Sequence, residues 1–203
     1  MDPKLNDISR HIFNLGTGIL SQAQRNCLYS SYGYESRLDE GVYGVLQAAQ
    51  AAELIIKAAI AEKHPLLIFS SLPKSNSVDG HFLSLEDLFE GAKTVQYTEL
   101  PEKLWAVTGY KIVNVEIYQS FGKLRNCIQH FTIPSSDIRI ETSDFIYKVI
   151  DPILEHFWGD FAIEYVDLES YIEDVFDILK SRGLKVRYPD SLREHAEKVY
   201  LGV

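Results

Sequence analysis

"DEGVYGVLQAAQAAELIIKAAIAEKHP", residues 39–65, decides how the rest of the chain is read. It is rich in alanine and other strong helix formers. Val42, Val45, Leu46, Ala49, Ala52, Ile56, Ala59 and Ile60 trace an apolar stripe at helical spacing. Leu54, Ile55 and Ala58 add a second apolar face. A helix apolar on two sides is covered on two sides, which places it at the centre of a bundle. Pro65 marks its end. The chain is therefore expected to be all-α, with other helices packed around this one.

The flanking sequence supplies those helices. Leu5 to about Leu28 reads as one or two helices, with Leu5, Ile8, Ile12, Phe13, Leu20, Cys27 and Leu28 on the apolar side. "GTG" at 16–18 reads as a turn, and "SSYGYES" (30–36) as a break. Residues 65–81 read as a long surface loop after the central helix. Ser84 and Asp87 have the spacing of a capping box that opens a short helix through Phe89. "KTVQYTELP" (93–101) fits a short strand or an extended loop, and 103–113 carries no clear signal. "TSDFIYKVIDPILEHFW" (142–158) is helical with a kink near Pro152. The stretch 167–183 is helical between Asp167 as N-cap and Gly183 as C-cap, and a last helix runs from about Asp190 to Tyr200. The sum is one domain over 1–203, an antiparallel bundle of about five or more helices. Its core spans about 40–158, with N-terminal helices over 1–38 and a C-terminal helical extension over 160–203.

Composition bounds the function. The 203 residues are 46% apolar and 24% charged, a globular balance. Net charge is -9, which argues against broad coating of nucleic acid but leaves room for a local basic cleft. The two cysteines, Cys27 and Cys127, have neither disulfide-framework nor metal-ligand spacing and read as small core residues in a reducing compartment. The N-terminus lacks a signal-peptide pattern, and no apolar run reaches the length of a membrane helix. A soluble, cytoplasmic protein without membrane contact is expected. His64, His81, His156 and His195 have no partners at metal spacing, and no cofactor motif is present. Tyr29, Tyr32 and Tyr34 could stack on bases or pack on the bundle.

The chemistry concentrates in "NVEIYQSFGKLRNCIQHF" (114–131). Ile117, Phe121, Leu124, Ile128 and Phe131 form a single apolar stripe of a helix. With Leu124 as the core direction, Arg125 lies at about 100°, Asn126 at about 200° and His130 at about 240°. Gln119, Gly122 and Gln129 share that arc, and no acidic residue does. The triplet Arg-Asn-Cys also occurs at 25–27, but only the second copy has a histidine shortly after it. An imidazole can move a proton near neutrality, and a guanidinium fits phosphate oxygens. RNA cleavage needs no metal for its nucleophile, because the 2′-hydroxyl is already held beside the phosphorus. A plain solvated helix face fits the same residues. On the central helix Glu53 lies in line with the apolar stripe, with Lys57 four residues on. The pair reads either as an intrahelical salt bridge or as support for the Arg/His face.

These two motifs, "ELIIK" from Glu53 to Lys57 and "RNCIQH" from Arg125 to His130, in that order on two helices, resemble the HEPN domain superfamily. The resemblance covers about residues 40–158. It implies an α-helical, commonly homodimeric bundle whose two Arg-x4-6-His motifs meet in one composite cleft. It further implies a metal-independent endoribonuclease that leaves a 2′,3′-cyclic phosphate, in a toxin–antitoxin, phage-defence or stress-response setting. Arg125 would stabilise the scissile phosphate, His130 would be the general acid/base and Asn126 would position the RNA. Glu53 and Lys57 would support them, and Lys123 and Gln129 would contact the strand. Gly122 would let a second protomer approach closely. Thr132 stands where family members modified by an antitoxin often carry a tyrosine, so control by that route is not expected. The rival expectation is a catalytically silent module of the same fold that binds a partner protein or a nucleotide.

Overall fold

Residues 5–29, 36–74, 83–132, 137–167 and 172–202 are described by the computed structural model. The central helix is α2, Ser36–Lys63, preceded by α1, Ile8–Leu28. Both faces of α2 are buried: Val45, Ala49, Ala52, Ile56 and Ile60 on one, Ile55 and Ala58 on the other. The apolar window within Glu40–Lys63 is long enough to cross a membrane, contrary to the reading of the sequence, but 72% of it is buried inside the bundle.

α1 is one continuous helix and runs antiparallel to α2. Ser9 Oγ donates to Ala58 O at 3.0 Å near one end, and Asn26 Nδ2 donates to Gln47 Oε1 at 2.7 Å near the other. Between them the "GTG" segment is helix, not turn. Gly16 sits where α1 presses closely on α2: a Cβ there would lie 3.2 Å from Leu54 Cβ and 3.3 Å from the Ile55 nitrogen. The glycine serves helix approach rather than chain reversal. The break at 30–35, with Tyr32 and Tyr34, lies outside the described residues, while Tyr29 packs half-buried on the core.

The segment after α2 is more ordered than a loop. Pro65–Ile68 makes a 3₁₀ turn capped by His64, whose Nδ1 accepts the Leu66 N–H at 3.2 Å. The chain then enters β1, Phe69–Ser71, which pairs antiparallel with β2, Lys93–Thr94. This ribbon is the only sheet among the described residues. Residues 75–82, with His81, lie outside them. The Ser84–Asp87 capping box is present and opens α3, Leu85–Gly91. After β2, Tyr97–Glu99 forms a 3₁₀ turn leading into α4, Leu100–Thr108, which ends on Gly109 at φ 80°.

α5, Val115–His130, carries the Arg/His strip. Behind it lies a helical rod in three parts: α6 (Ile138–Phe145), a π-helical turn (Ile146–Ile150) and α7 (Asp151–Trp158). Where a kink was expected near Pro152, the helix carries this π turn just before the proline. Proline has no N–H to give the carbonyl four residues back, that of Lys148. Asn114, at the start of α5, supplies the missing donor: its Nδ2 reaches Lys148 O at 3.0 Å. One proline thus fixes where α5 begins against the rod.

The C-terminal helices α8 (Ile172–Ser181) and α9 (Arg193–Leu201) share the core, which runs without a break from Leu20 to Val199. Gly183 ends α8 at φ 75°, as its position suggested. The proposed Asp167 cap adjoins residues 168–171, outside those described, and Asp167 pairs with Arg25 at 3.4 Å. Polar clasps fasten this extension. Arg182 Nη2 donates to Cys27 O at 2.8 Å, meeting a carbonyl that the end of α1 leaves unpaired. Gln24 Nε2 donates to Ala162 O at 2.9 Å, and Tyr147 Oη donates to Gln24 Oε1 at 2.6 Å. Cys27 is fully buried, and burial pushes its thiol up. Cys127 is only half-buried, its thiol 3.6 Å from Thr132 O.

Asp151, 1% exposed, accepts the Ala162 N–H at 2.7 Å and Arg187 Nε at 3.2 Å. Burial holds its carboxyl above the ordinary carboxylate range, the Ala162 N–H and Arg187 drawing it partly back. The folded state therefore binds this proton more tightly than the unfolded chain. That contribution is full below the unfolded value of about 3.9 and is lost as pH rises through the raised one. Urea unfolding across pH should show Asp151→Asn gaining on the wild type as pH rises above about 4. A difference that stays constant with pH would contradict the raised carboxyl.

Candidate functional site

The ion pair Glu53–Lys57 is the deepest charged element of the site. Lys57 is 6% exposed, and its Nζ lies 2.6 Å from Glu53 Oε1. A buried ammonium needs more than one acceptor. The second is Thr94 Oγ1 at 3.2 Å, on β2. The pair is therefore an intrahelical bridge and also a tether, holding the end of the ribbon against α2.

Three residues beyond the tethered strand, Tyr97 enters the turn before α4. Its ring lies over Gly122 of α5, where a Cβ would stand 2.6 Å from Tyr97 Cε1. Tyr118, one turn earlier on α5, stacks on Tyr97 with ring centroids 4.3 Å apart and 5° between planes. The two residues clasp each other: Tyr118 Oη donates to Tyr97 O at 2.8 Å, and Tyr97 Oη donates to Tyr118 O at 3.2 Å. Burial raises both hydroxyls well above the ordinary tyrosine range. For Tyr97 the Tyr118 hydrogen bond and Arg125 act the other way, while Glu53 adds to the rise. Both tyrosines thus stay protonated near neutral pH.

This clasp corrects the helical wheel. Gly122 was expected on the solvent arc, yet it is buried together with Tyr118, and the core side of α5 is centred between Phe121 and Tyr118. Gly122 receives a ring of its own chain, not a second protomer. Phe131, expected in the apolar stripe, is 87% exposed. The helix ends at His130, and Phe131 leaves helical geometry with φ -134° and ψ -70°.

A cavity of about 550 Å³ opens over the clasp. Arg125, Asn126 and Lys123 line it from α5, together with Gln119. Gln96 and Thr98 line it from the turn before α4. No acidic residue is among its walls. Arg125 is half-buried, and its Nη1 donates to Asn126 Oδ1 at 3.0 Å. That bond uses the amide oxygen and leaves the Asn126 NH2 as its available donor. An acid-free cavity with two cations and three amides suits an anion flanked by a hydrogen-bonding group.

The structure thus gathers Arg125, Asn126 and Lys123, with Glu53 and Lys57 one layer behind. It leaves His130 and Gln129 outside the cavity wall, both exposed. His130 still belongs to the same face. Gln119, Lys123, Asn126 and His130 recur at four, three and four residues. His130 lies one turn, about 6 Å of helix axis, beyond Asn126. Sequence reasoning missed Tyr97, Tyr118, Thr94, Gln96 and Thr98. The available signal was Tyr118, four residues before Gly122 and seven before Arg125. Elsewhere, His156 stacks on Tyr110 with centroids 4.4 Å apart, and His195 Nδ1 pairs with Glu173 at 3.2 Å. Among the described residues no group of three or more His, Cys, Asp and Glu is placed to hold a metal ion.

The clasp can be tested by sign. Replacing a helical glycine with alanine ordinarily stabilises by up to about 1 kcal/mol. Gly122→Ala should instead destabilise by about 1–3 kcal/mol in urea unfolding, because the buried Tyr97 ring must be displaced. In a Tyr97→Ala background the same change should become stabilising. A stabilising Gly122→Ala in the wild-type background would show that the ring does not occupy this notch.

Compared with what is known, the chain stands by its own geometry. No protein-family model matches it, and neither a curated protein nor a solved structure does.

Proposed function

We propose that the protein is a metal-independent endoribonuclease of HEPN type, acting in the cytoplasm as a homodimer in a defence, toxin or stress-response role. The observation that carries this reading is the single face of α5 that joins an acid-free cavity to an exposed histidine. Arg125 and Lys123 would bind the phosphate, Arg125 taking up the charge that grows on its oxygens in the transition state. The Asn126 amide would orient the strand. His130 would take the proton of the 2′-hydroxyl or return one to the leaving 5′-oxygen. One histidine cannot do both at once, so two protomers would each supply an Arg125–His130 set to one cleft. The exposure of His130 and of its neighbour Phe131 supports a partner copy at that end of α5. Glu53, Lys57 and Thr94 would hold the far wall still. A neutralising protein partner would be expected for a toxin.

A second reading is favoured by one observation: His130 lies outside the cavity wall. On that reading the protein is a catalytically silent module that binds a nucleotide or partner protein through the Arg125 cavity.

Incubation of a mixed RNA pool in EDTA separates the two. The wild type should release fragments with 2′,3′-cyclic phosphate ends. His130→Ala should slow this by about a hundredfold or more, the usual weight of a general acid/base, and Arg125→Ala should slow it comparably. Cleavage by His130→Ala at the wild-type rate would remove the assigned chemistry. No cleavage by the wild type, at concentrations where the dimer is confirmed, would favour the silent module.

A further inference from the structure

The cavity is larger than a phosphate needs, and its far end is built from residues that neither motif contains. A volume of about 550 Å³ falls in the range of sites that enclose an organic ligand. Arg125 and Asn126 stand at its C-terminal end along α5. Toward the helix C-terminus lies His130. Toward the N-terminus lies Gln119, faced by Gln96 and Thr98 across the cavity. From Gln119 to Asn126 the helix advances about 10 Å, so the two ends of the cavity serve different parts of a ligand.

We infer that the Gln119 end of this cavity is a recognition pocket for an unpaired nucleobase, that of the nucleotide next to the phosphate held by Arg125. This deepens the ribonuclease reading and rests on it. Two features of the walls define how the base is read. Tyr97 and Tyr118 lie in the cavity wall, but they are stacked on each other and only 9% and 1% exposed, which leaves little ring face to a base. Recognition by aromatic stacking, which tolerates any base, is thereby disfavoured. The groups that remain are edge readers. Gln119 and Thr98 make no side-chain hydrogen bond to another described residue, and Gln96 spends only its Nε2, on Thr94 O at 3.3 Å. Side-chain amides both donate and accept, and so can pair with a base edge. The Gln96 backbone is fixed by Glu99, whose Oε2 accepts its N–H at 3.1 Å. The pocket is therefore built to prefer particular bases at one position beside the cleaved bond.

The test reads preference, not rate. A random-sequence RNA pool is cleaved in EDTA and the fragment ends are sequenced, for wild type, Gln119→Ala and Thr98→Ala, each variant first checked for wild-type thermal unfolding. The expected result is a base preference of roughly tenfold at one position flanking the cut, the discrimination a good edge pairing supplies. It should collapse toward onefold in Gln119→Ala. Cleavage without base preference, or a preference unchanged in both variants, would overturn the pocket and leave the ribonuclease reading intact. If no RNA is cleaved, calorimetry with AMP, CMP, GMP, UMP and ribose 5-phosphate decides. Binding that differs among the bases and levels out in Gln119→Ala would sustain the pocket while the nuclease reading fails. Equal binding of all five ligands, or of none, would overturn the pocket as well.

Discussion

A lysine ammonium buried in an apolar helix bundle is the constraint from which the site follows. A buried ammonium is costly without acceptors, and the structure gives Lys57 two, Glu53 and Thr94. Glu53 alone would have made a local bridge of small worth. Thr94 makes the interaction tertiary. It fixes the end of the ribbon, and with it the height at which Tyr97 meets α5. The Tyr97 ring then requires that the residue beneath it have no side chain, which Gly122 satisfies. A charge on one helix thus sets a backbone approach on another, and the cavity wall is the result.

α5 is positioned from its other side by an equally specific debt. Pro152 leaves the Lys148 carbonyl without its helical donor, and Asn114 answers it. Asn114 does so from a left-handed conformation, φ 57° and ψ 48°, one of the few non-glycine residues that tolerates it. The first residue before α5 is thereby pinned to the rod, while its middle is pinned by Tyr97. Only the last turn, with His130 and Phe131, is left without a described clasp. That asymmetry suits the proposed anion site beside a histidine that a second copy would complete.

What the sequence made legible followed from periodicity. α2, α5 and the capping box of α3 were readable because each repeats a local rule within a few residues. The Glu53–Lys57 pair was readable for the same reason. Gly16 was misread as a turn because glycine breaks chains and admits close neighbours alike, and only the packing of α2 against it tells the two apart. The polar face of α5 was drawn too wide. Leu124 was taken as the centre of the buried side, whereas the Tyr97 ring from the turn before α4 shifted that centre by nearly a residue's step around the helix. Tyr97 and Thr94 could not have been found, since they reach the site by a ribbon pairing whose strands are three and two residues long. Strands that short leave no period to detect.

The net charge of -9 and the proposed polyanionic ligand stand in apparent conflict. Screening resolves it. At physiological ionic strength the field of an exposed charge fades over about 8 Å, so the acidic surface elsewhere contributes little inside a cavity of this size. What governs a phosphate there is the local set: Arg125, Lys123 and amide donors, with no carboxylate in the wall. The distant charge acts instead on approach, where it opposes the long-range capture that makes basic proteins coat nucleic acid. A protein arranged this way gains little from the strand as a whole and much from one phosphate and its neighbours. Its selectivity must then come from contacts made at close range. That is the circumstance in which the unengaged amide of Gln119 has the most to decide.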